Sequence, residues 1–207
     1  PRKAEVVVSG GGIEIRRMDK PITGTTASGG VAYLLIDCSG SMEGSKLEQA
    51  RRGALDFSNG AREKGYMVGL ITFSDAAHHI CEPQKDVVLL SRYVEEMRIG
   101  LSTNMAAALS IALEKLSSIR GNRAVVVVTD GQPNAGDADP VEAAVNIARQ
   151  LKENGIEIIT IGTDDADEEF LKRIATRSDL SVMVHQDQLE RGIGSATAML
   201  PEGPRRS

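Results

Sequence analysis

Apolar and polar positions divide the chain into short, uninterrupted apolar runs and longer segments in which apolar residues recur every three or four positions. Residues 31–36 and 124–128 are the clearest apolar runs and contain no charged side chain. Such runs are typical of strands buried on both faces of a parallel sheet. Further strands are predicted at residues 66–73, 76–82, 156–161 and 181–185. The strand at 76–82 is predicted to lie at an edge, because a proline follows it and proline cannot donate a ladder hydrogen bond.

Helical spacing of apolar residues predicts helices in the longer segments between these strands. The first helix is predicted to begin at Ser45, which forms a capping-box pair with Glu48. Another is predicted to follow Asp139, an N-cap residue with Pro140 at the first helical position. Strands that alternate with helices in this way indicate an α/β fold with a doubly wound, mostly parallel sheet and helices on both faces.

The two ends of the chain differ in composition from the part between them. In residues 1–30, short β-prone runs flank three consecutive glycines, and a stretch rich in Gly, Ser and Thr follows. This pattern predicts an N-terminal hairpin and a linker. Residues 31–200 are predicted to form one α/β domain, and residues 201–207 a disordered tail.

Composition and charge narrow the classes of function. The chain has 207 residues, of which 41% are hydrophobic and 26% charged, as in a single globular domain. A net charge of −5 argues against nucleic-acid binding, and no apolar run reaches the ~20 residues of a membrane-inserted helix. The two cysteines, Cys38 and Cys81, form no CxxC pair. They predict reduced thiols and therefore a cytoplasmic location.

Oxygen-bearing side chains follow both of the clearest strands. Asp37, Ser39 and Ser41 come directly after the first apolar run, and Asp130 comes directly after Thr129 at the end of the second. Open α/β sheets bind ligands at the carboxyl ends of their strands, where the strand order reverses. Carboxylate and hydroxyl oxygens suit a hard divalent cation such as Mg2+ rather than zinc or copper.

Thr103 lies just before a predicted helix, where its hydroxyl is expected to face the same crevice. The motif Asp37-x-Ser39-x-Ser41, with Thr103 and Asp130 downstream, resembles the metal-ion-dependent adhesion site of the von Willebrand factor type A domain family. All five motif positions are filled, and the resemblance covers about residues 31–200. It implies a Rossmann-like fold with one antiparallel edge strand.

The resemblance also implies what these side chains bind. The two serines and the threonine would ligate Mg2+, with Mn2+ or Ca2+ as substitutes, and the two aspartates would act directly or through water. A Glu or Asp carboxylate of a partner protein would complete the coordination shell. Hydroxyl ligands leave the ion electrophilic, so a direct bond to that carboxylate would anchor the partner.

These expectations favour a metal-dependent protein-binding module that is not an enzyme. Intracellular bacterial members of the resembled family often serve as adaptors for AAA+ ATPases of the MoxR or chelatase kind. The lack of a disulfide framework favours that context over extracellular or surface adhesion. One alternative is a metal-dependent phosphohydrolase, although no general base or nucleophile has suitable spacing. Another is a vestigial site on a domain that binds its partner without metal.

Ser39 is not interpreted as a hydrolase nucleophile, because it lacks the glycine two positions earlier that a nucleophile elbow requires. Other reactive side chains are interpreted as structural. Cys38 is interpreted as a small core residue, and His78 and His79 point to opposite faces of one strand because they are adjacent. The acidic run at residues 164–169 is interpreted as a solvated face that begins a helix.

Overall fold

The main sheet has six strands, and helices cover both of its faces. The structure is a computed structural model that describes residues 5–9, 12–16, 29–163 and 165–202. The strands of the main sheet are β3 (Gly30–Asp37), β4 (Met67–Phe73), β5 (Ala77–Gln84), β6 (Asn122–Thr129), β7 (Glu157–Thr163) and β8 (Ser181–Val184). Two further strands, β1 (Glu5–Ser9) and β2 (Gly12–Arg16), pair with each other in antiparallel register.

Six α-helices lie in the described part of the chain. They are α1 (Ser45–Glu63), α2 (Val87–Glu95), α3 (Met105–Ser117), α4 (Pro140–Glu153), α5 (Glu168–Ile174) and α6 (Leu189–Ser195). A short 3-10 turn, Gly40–Met42, precedes α1. Over the residues described, no helix combines the length and the apolar character that crossing a membrane requires.

The strand order in the main sheet is β5-β4-β3-β6-β7-β8. All neighbouring strands are parallel except β4 and β5, which pair antiparallel at one edge. The predicted doubly wound, mostly parallel sheet with one antiparallel edge strand is therefore confirmed. From β3 the chain moves outward to β4 and β5, and it later returns to the other side of β3 as β6. This reversal creates a crevice between the carboxyl ends of β3 and β6.

Alternate residues of the strands supply two separate hydrophobic cores. Ala32, Leu34 and Ile36 of β3 pack with α1, α2 and α6 on one face of the sheet. Tyr33 and Leu35 point to the other face, where α3, α4 and α5 cover them. Burial on both faces explains why β3 and β6 read as continuous apolar runs in the sequence rather than as alternating patterns.

The N-terminus of α1 differs from the prediction. The helix begins at Ser45, but its N-cap residue is Gly44, whose φ is 82°, and no side chain caps the helix. Ser45 already belongs to the first turn, so its hydroxyl accepts a hydrogen bond from Gln49 Nε2 at 3.3 Å instead of forming a capping box. The capping-box prediction was wrong because the preceding 3-10 turn and a positive φ lead the chain into the helix.

The edge strand and the C-terminal segment extend further than expected. β5 continues through Pro83 to Gln84, which an edge strand allows because one side of its backbone has no partner. The carbonyl oxygen of Pro201, the first residue of the expected tail, accepts hydrogen bonds from Tyr66 Oη at 2.5 Å and from Asn122 Nδ2 at 3.3 Å. Residues 203–207, and the expected linker up to residue 28, lie outside the described residues.

Candidate metal centre

Asp37 is a fully buried carboxylate at the end of β3. The backbone N–H of Ser39 donates to its Oδ1 at 2.8 Å, and the Thr129 hydroxyl donates to its Oδ2 at 2.6 Å. Burial, with a smaller contribution from the charge of Asp130, raises the pKa of Asp37 to about 6 against the opposing effect of these hydrogen bonds. The carboxylate is thus held in one orientation in surroundings that disfavour its negative charge.

The turn after β3 brings two serine hydroxyls together. Ser39 Oγ lies 3.2 Å from Ser41 Oγ. The Ser41 hydroxyl donates to Asp130 Oδ1 at 2.7 Å, which joins this turn to the end of β6. Ser39 is buried, whereas Gly40 and Ser41 are exposed. The hydroxyl pair therefore lies at the boundary between the core and solvent.

Asp130 is the second buried carboxylate, and a lysine neutralises it. Lys46 Nζ lies 2.7 Å from Asp130 Oδ2 and 3.0 Å from Asp165 Oδ2. Burial of the ammonium opposes its charge, but the hydrogen bonds to the two aspartates outweigh this effect and raise the pKa of Lys46. Lys46 therefore bridges a buried and an exposed carboxylate beside the crevice.

Thr103 is buried in a loop that is fastened to the loops after both central strands. The Gly100 N–H donates to the Cys38 carbonyl oxygen at 2.7 Å, next to the serine turn. The Thr103 N–H donates to Asn134 Oδ1 at 2.8 Å, and the Asn134 N–H donates to the Thr103 carbonyl oxygen at 3.1 Å. Thr103 is 4% exposed. Its backbone is thus fixed between the β3 and β6 ends of the crevice.

Asp75, in the loop after β4, supports the same segment. Its carboxylate accepts the N–H of Leu101 at 3.0 Å and the N–H of Ser102 at 3.1 Å. The hydrogen bond from the Leu101 N–H, and to a smaller extent the hydrogen bonds from Ser102, lower the pKa of Asp75. A Cβ on Gly100 would lie only 2.4 Å from the Ser74 hydroxyl oxygen, so only glycine permits this close approach of the two loops.

The five predicted site residues lie at the end of β3 and in three loops at one edge of the sheet, and hydrogen bonds link these segments. Asp37, Ser39, Ser41 and Asp130 belong to one network, in which Thr129 connects Asp37 to the end of β6. Thr103 joins through its backbone. The network requires the reversal of strand order, because that reversal makes the ends of β3 and β6 neighbours.

The oxygen atoms of these side chains fit a hard divalent cation as ligands. Two buried carboxylates and neighbouring hydroxyls offer only oxygen atoms, which Mg2+ prefers. In the described part of the chain, no cluster of three or more His, Cys, Asp or Glu side chains could hold a metal, so such a site depends on hydroxyl ligands. A cation would also relieve the unfavourable burial of the Asp37 charge.

Thr163 adds an unsatisfied oxygen at the same edge of the sheet. Its Oγ1 is buried and has no hydrogen-bond partner among the described residues. β6 and β7 pair up to Thr129 opposite Gly162, so Asp130 and Thr163 are the next residues along the two strands. A buried hydroxyl without a partner is costly, and the water shell of a cation is one way to satisfy it.

Several contacts of the site could not be foreseen from the motif. Thr129 directly precedes Asp130, and Lys46 lies in the first turn of α1, but the sequence does not show that their side chains meet the two carboxylates. Asp165 was assigned to a solvated acidic run; it is exposed as expected, but its contact with Lys46 was not foreseen. The contact of Asn134 with Thr103 is not part of the motif either.

None of the described contacts joins the side chain of Cys38, His78 or His79 to this network. The Cys38 thiol donates to the Ile36 carbonyl oxygen at 3.7 Å, and burial raises its pKa to about 12. His79 Nε2 lies 3.1 Å from the Tyr33 hydroxyl. His78 is exposed. Neither histidine forms a described contact with a site residue, so the predicted ligand set needs no addition from them.

The sequence is similar to known families and proteins. A sequence model of the family described as von Willebrand factor type A domain matches residues 33–195. Inter-alpha-trypsin inhibitor heavy chain H3 of Rattus norvegicus is 26% identical over 132 residues, which are 57% of this chain and 15% of that protein. The chain thus spans about one seventh of the length of that relative.

Two solved structures share the fold at low sequence identity. The vWF domain of the type V pili tip protein Mfa5 from Porphyromonas gingivalis has a TM-score of 0.72 and 14% identity, covering 88% of this chain and 99% of that one. Proximal thread matrix protein 1 from the mussel byssus, with a zinc-occupied MIDAS motif, has a TM-score of 0.67 and 16% identity. That likeness covers 87% of this chain and 49% of the matrix protein.

Proposed function

Because the chain belongs to the von Willebrand factor type A domain family, we propose that it is a metal-dependent protein-binding module. Ser39, Ser41 and Thr103 would ligate a divalent cation, and Asp37 and Asp130 would act directly or through water. The proposed ion is Mg2+, and Mn2+ or Ca2+ are substitutes. When bound, the ion supplies an electrophilic centre for a carboxylate of a partner protein.

The observation that carries this proposal is the position of the serine turn. Asp37 is fully buried, whereas Ser41, which donates to Asp130, is exposed. A cation bound between these residues would have protein oxygens on one side and solvent on the other. The solvent side is where the Glu or Asp of a partner can replace water, so the arrangement favours recognition of an acidic residue.

Binding without catalysis fits the serines better than hydrolysis does. The Ser39 hydroxyl contacts Ser41, and no histidine in the described residues forms a hydrogen bond with either serine. The Ser41 hydroxyl donates to Asp130, but Lys46 already pairs with that carboxylate and makes it a weak general base. A metal-dependent phosphohydrolase is the competing proposal. Turnover of a generic phosphate ester that disappears in Ser39→Ala would support hydrolysis and contradict the binding role.

Two cellular contexts suit the same site. The resemblance first suggested a cytoplasmic adaptor for an AAA+ ATPase of the MoxR or chelatase kind. The second context is adhesion, favoured by the description of Mfa5 as a type V pili tip protein and of the mussel protein as a thread matrix protein. Both contexts require the same chemistry, a partner carboxylate on the metal.

The test is a peptide selection on the immobilised protein. A library of peptides is selected on wild type in Mg2+, eluted with EDTA and sequenced. We expect each enriched peptide to contain an Asp or Glu whose replacement by Asn or Gln abolishes binding, and we expect Asp37→Asn to bind none. Peptides that stay bound through the EDTA elution and leave only on denaturation, or eluted peptides that bind Asp37→Asn equally well, would contradict the proposal and favour a surface that binds without metal.

A further inference from the structure

We propose that Lys46 is a built-in competitor of the metal, an ammonium that holds Asp130 when no ion is bound and must give it up when one binds. This inference rests on the proposed function of the site. The observation behind it is the contact of Lys46 Nζ with Asp130 Oδ2 at 2.7 Å. Lys46 lies outside the motif that suggested the metal site, and it lies on α1 rather than on the serine turn.

The two oxygens of Asp130 are both occupied by the protein. Oδ1 accepts the Ser41 hydroxyl at 2.7 Å, and Oδ2 accepts Lys46. The Asp130 side chain is 0% exposed and that of Lys46 is 13% exposed. Because screening by water is weak there, a divalent cation that approaches Asp130 would be repelled by the ammonium and would find a carboxylate whose charge is already compensated.

Lys46 has a second acceptor for its charge. Asp165 Oδ2 lies 3.0 Å from Nζ, and the Asp165 side chain is 71% exposed. Asp165 lies between β7 and α5, so it can hold the ammonium closer to solvent and away from the buried carboxylate. Binding of the ion would then transfer Lys46 from a shared contact to Asp165 alone. The site would exchange an ammonium for a divalent cation, which adds one net positive charge beside the two buried carboxylates.

Asp37 differs from Asp130 in this respect. Its described hydrogen-bond partners are the neutral groups of Ser39 and Thr129, so one buried acid already has a counter-ion and the other lacks one. A plain structural ion pair would only stabilise the fold. A competitor also sets the metal concentration at which the site fills, so removing its charge must tighten metal binding.

The experiment is a Mg2+ titration by calorimetry of wild type, Lys46→Met, Lys46→Gln and Lys46→Arg. Lys172→Met serves as the matched control, because Lys172 also bridges two acids, Glu168 and Glu169, but on α5. We expect Lys46→Met and Lys46→Gln to bind Mg2+ about tenfold more tightly, equal to about 1.4 kcal/mol. Lys46→Arg, which keeps the charge, and Lys172→Met should stay within about twofold of wild type.

A second measurement works on the wild-type protein and does not depend on how the variants fold. The side-chain Nζ resonance of Lys46 should move when Mg2+ saturates the site, while that of Lys172 should not. An unchanged Lys46 resonance, or equal or weaker Mg2+ binding in folded Lys46→Gln, would overturn the role of Lys46. If neither wild type nor Lys46→Gln binds Mg2+, the metal site itself fails, and with it the proposed function.

Discussion

Buried carboxylates set the chemistry of this edge at the scale of single residues. Asp37 and Asp130 are each almost fully buried, yet their surroundings differ, because one is held by neutral donors and the other by an ammonium. Removing charge from water is expensive unless a partner compensates it. One further positive charge beside the pair would therefore be favourable. The raised pKa of Asp37 reflects the cost of burying its negative charge.

Thr129 holds the proposed ligand Asp37 without belonging to the proposed ligand set. Thr129→Val keeps the shape of the side chain but removes the hydroxyl that donates to Asp37 Oδ2. Loss of such a supporting hydrogen bond weakens metal binding about 10–100-fold, and we expect a decrease in this range by calorimetry with Mg2+. Thr160→Val is the matched control, because Thr160 is equally buried and donates to Ser181 Oγ at 2.9 Å.

The control should lose thermal stability and keep its metal affinity. Equal affinities of Thr129→Val and wild type would show that the Thr129 hydroxyl does not position Asp37.

Sequence reasoning selected Asp37 and Asp130 as candidate site residues because an acid that ends an apolar strand can be recognised from the sequence alone. It did not identify the contacts of Thr129 and Lys46, because these depend on side-chain directions between segments far apart in the chain.

At the scale of elements, the loop from Gly100 to Asn104 carries Thr103 into the site. Three other loops hold it through the Cys38 carbonyl oxygen, the Asp75 carboxylate and the Asn134 side chain. A ligand placed on a loop needs such support, because coordination tolerates only small displacements.

Asp75→Ala tests this support. Without the carboxylate, the N–H groups of Leu101 and Ser102 lose their acceptor, the loop loosens, and Mg2+ affinity should fall about tenfold. Asp86→Ala is the matched control, because Asp86 accepts the N–H groups of Val88 and Leu89 at the start of α2. It should cost about 1 kcal/mol of stability as a lost N-cap and leave Mg2+ binding unchanged. Similar Mg2+ affinity in both variants would refute the role of Asp75.

Leu101 is the exposed apolar residue of the same loop. The residue is 86% exposed, although Asp75 fixes its own N–H and that of Ser102. We expect a partner that places an acid on the metal to cover it, so Leu101→Ser should weaken the selected peptides about tenfold, or ~1.4 kcal/mol. Val88→Ser, at a residue 70% exposed on α2, should leave the affinity of these peptides unchanged. Equal effects of the two substitutions on fluorescence-polarisation affinities would exclude a specific contact.

Element boundaries were predictable where the signal is local. Asp139 caps α4 through the N–H of Glu142, and Pro140 begins the helix, as the sequence predicts. All six strands of the main sheet lie within two residues of their predicted ends. The start of α1 at Ser45 was also predictable, but its N-cap was not, because Gly44 with a positive φ precedes the helix and no side chain caps it.

At the scale of the whole molecule, strand order creates the site. Alternating strands and helices predicted the doubly wound class, but local patterns carry no information on which strands are neighbours. The order β5-β4-β3-β6-β7-β8 puts the ends of β3 and β6 side by side, and the motif resemblance anticipated this arrangement. Metal binding should therefore stabilise the fold as a unit, because the ligands come from separate parts of the sheet.

Thermal unfolding measures that coupling. At a Mg2+ concentration 100 times the dissociation constant, binding adds about 2.7 kcal/mol to the stability of the folded state, which for a chain of this size raises Tm by about 5–10 °C. Differential scanning calorimetry in Mg2+ and in EDTA should show this shift in wild type and none in Asp37→Asn. A wild-type Tm that is the same in saturating Mg2+ and in EDTA would mean that the acids and hydroxyls do not bind one ion together.

The most direct test of the metal centre is an anomalous difference map from crystals grown with Mn2+. We expect one strong peak between the ends of β3 and β6, within coordination distance of the hydroxyl oxygens of Ser39, Ser41 and Thr103. A peak at another place, or no peak at this edge with the Thr103 hydroxyl turned away from the serines, would contradict the account.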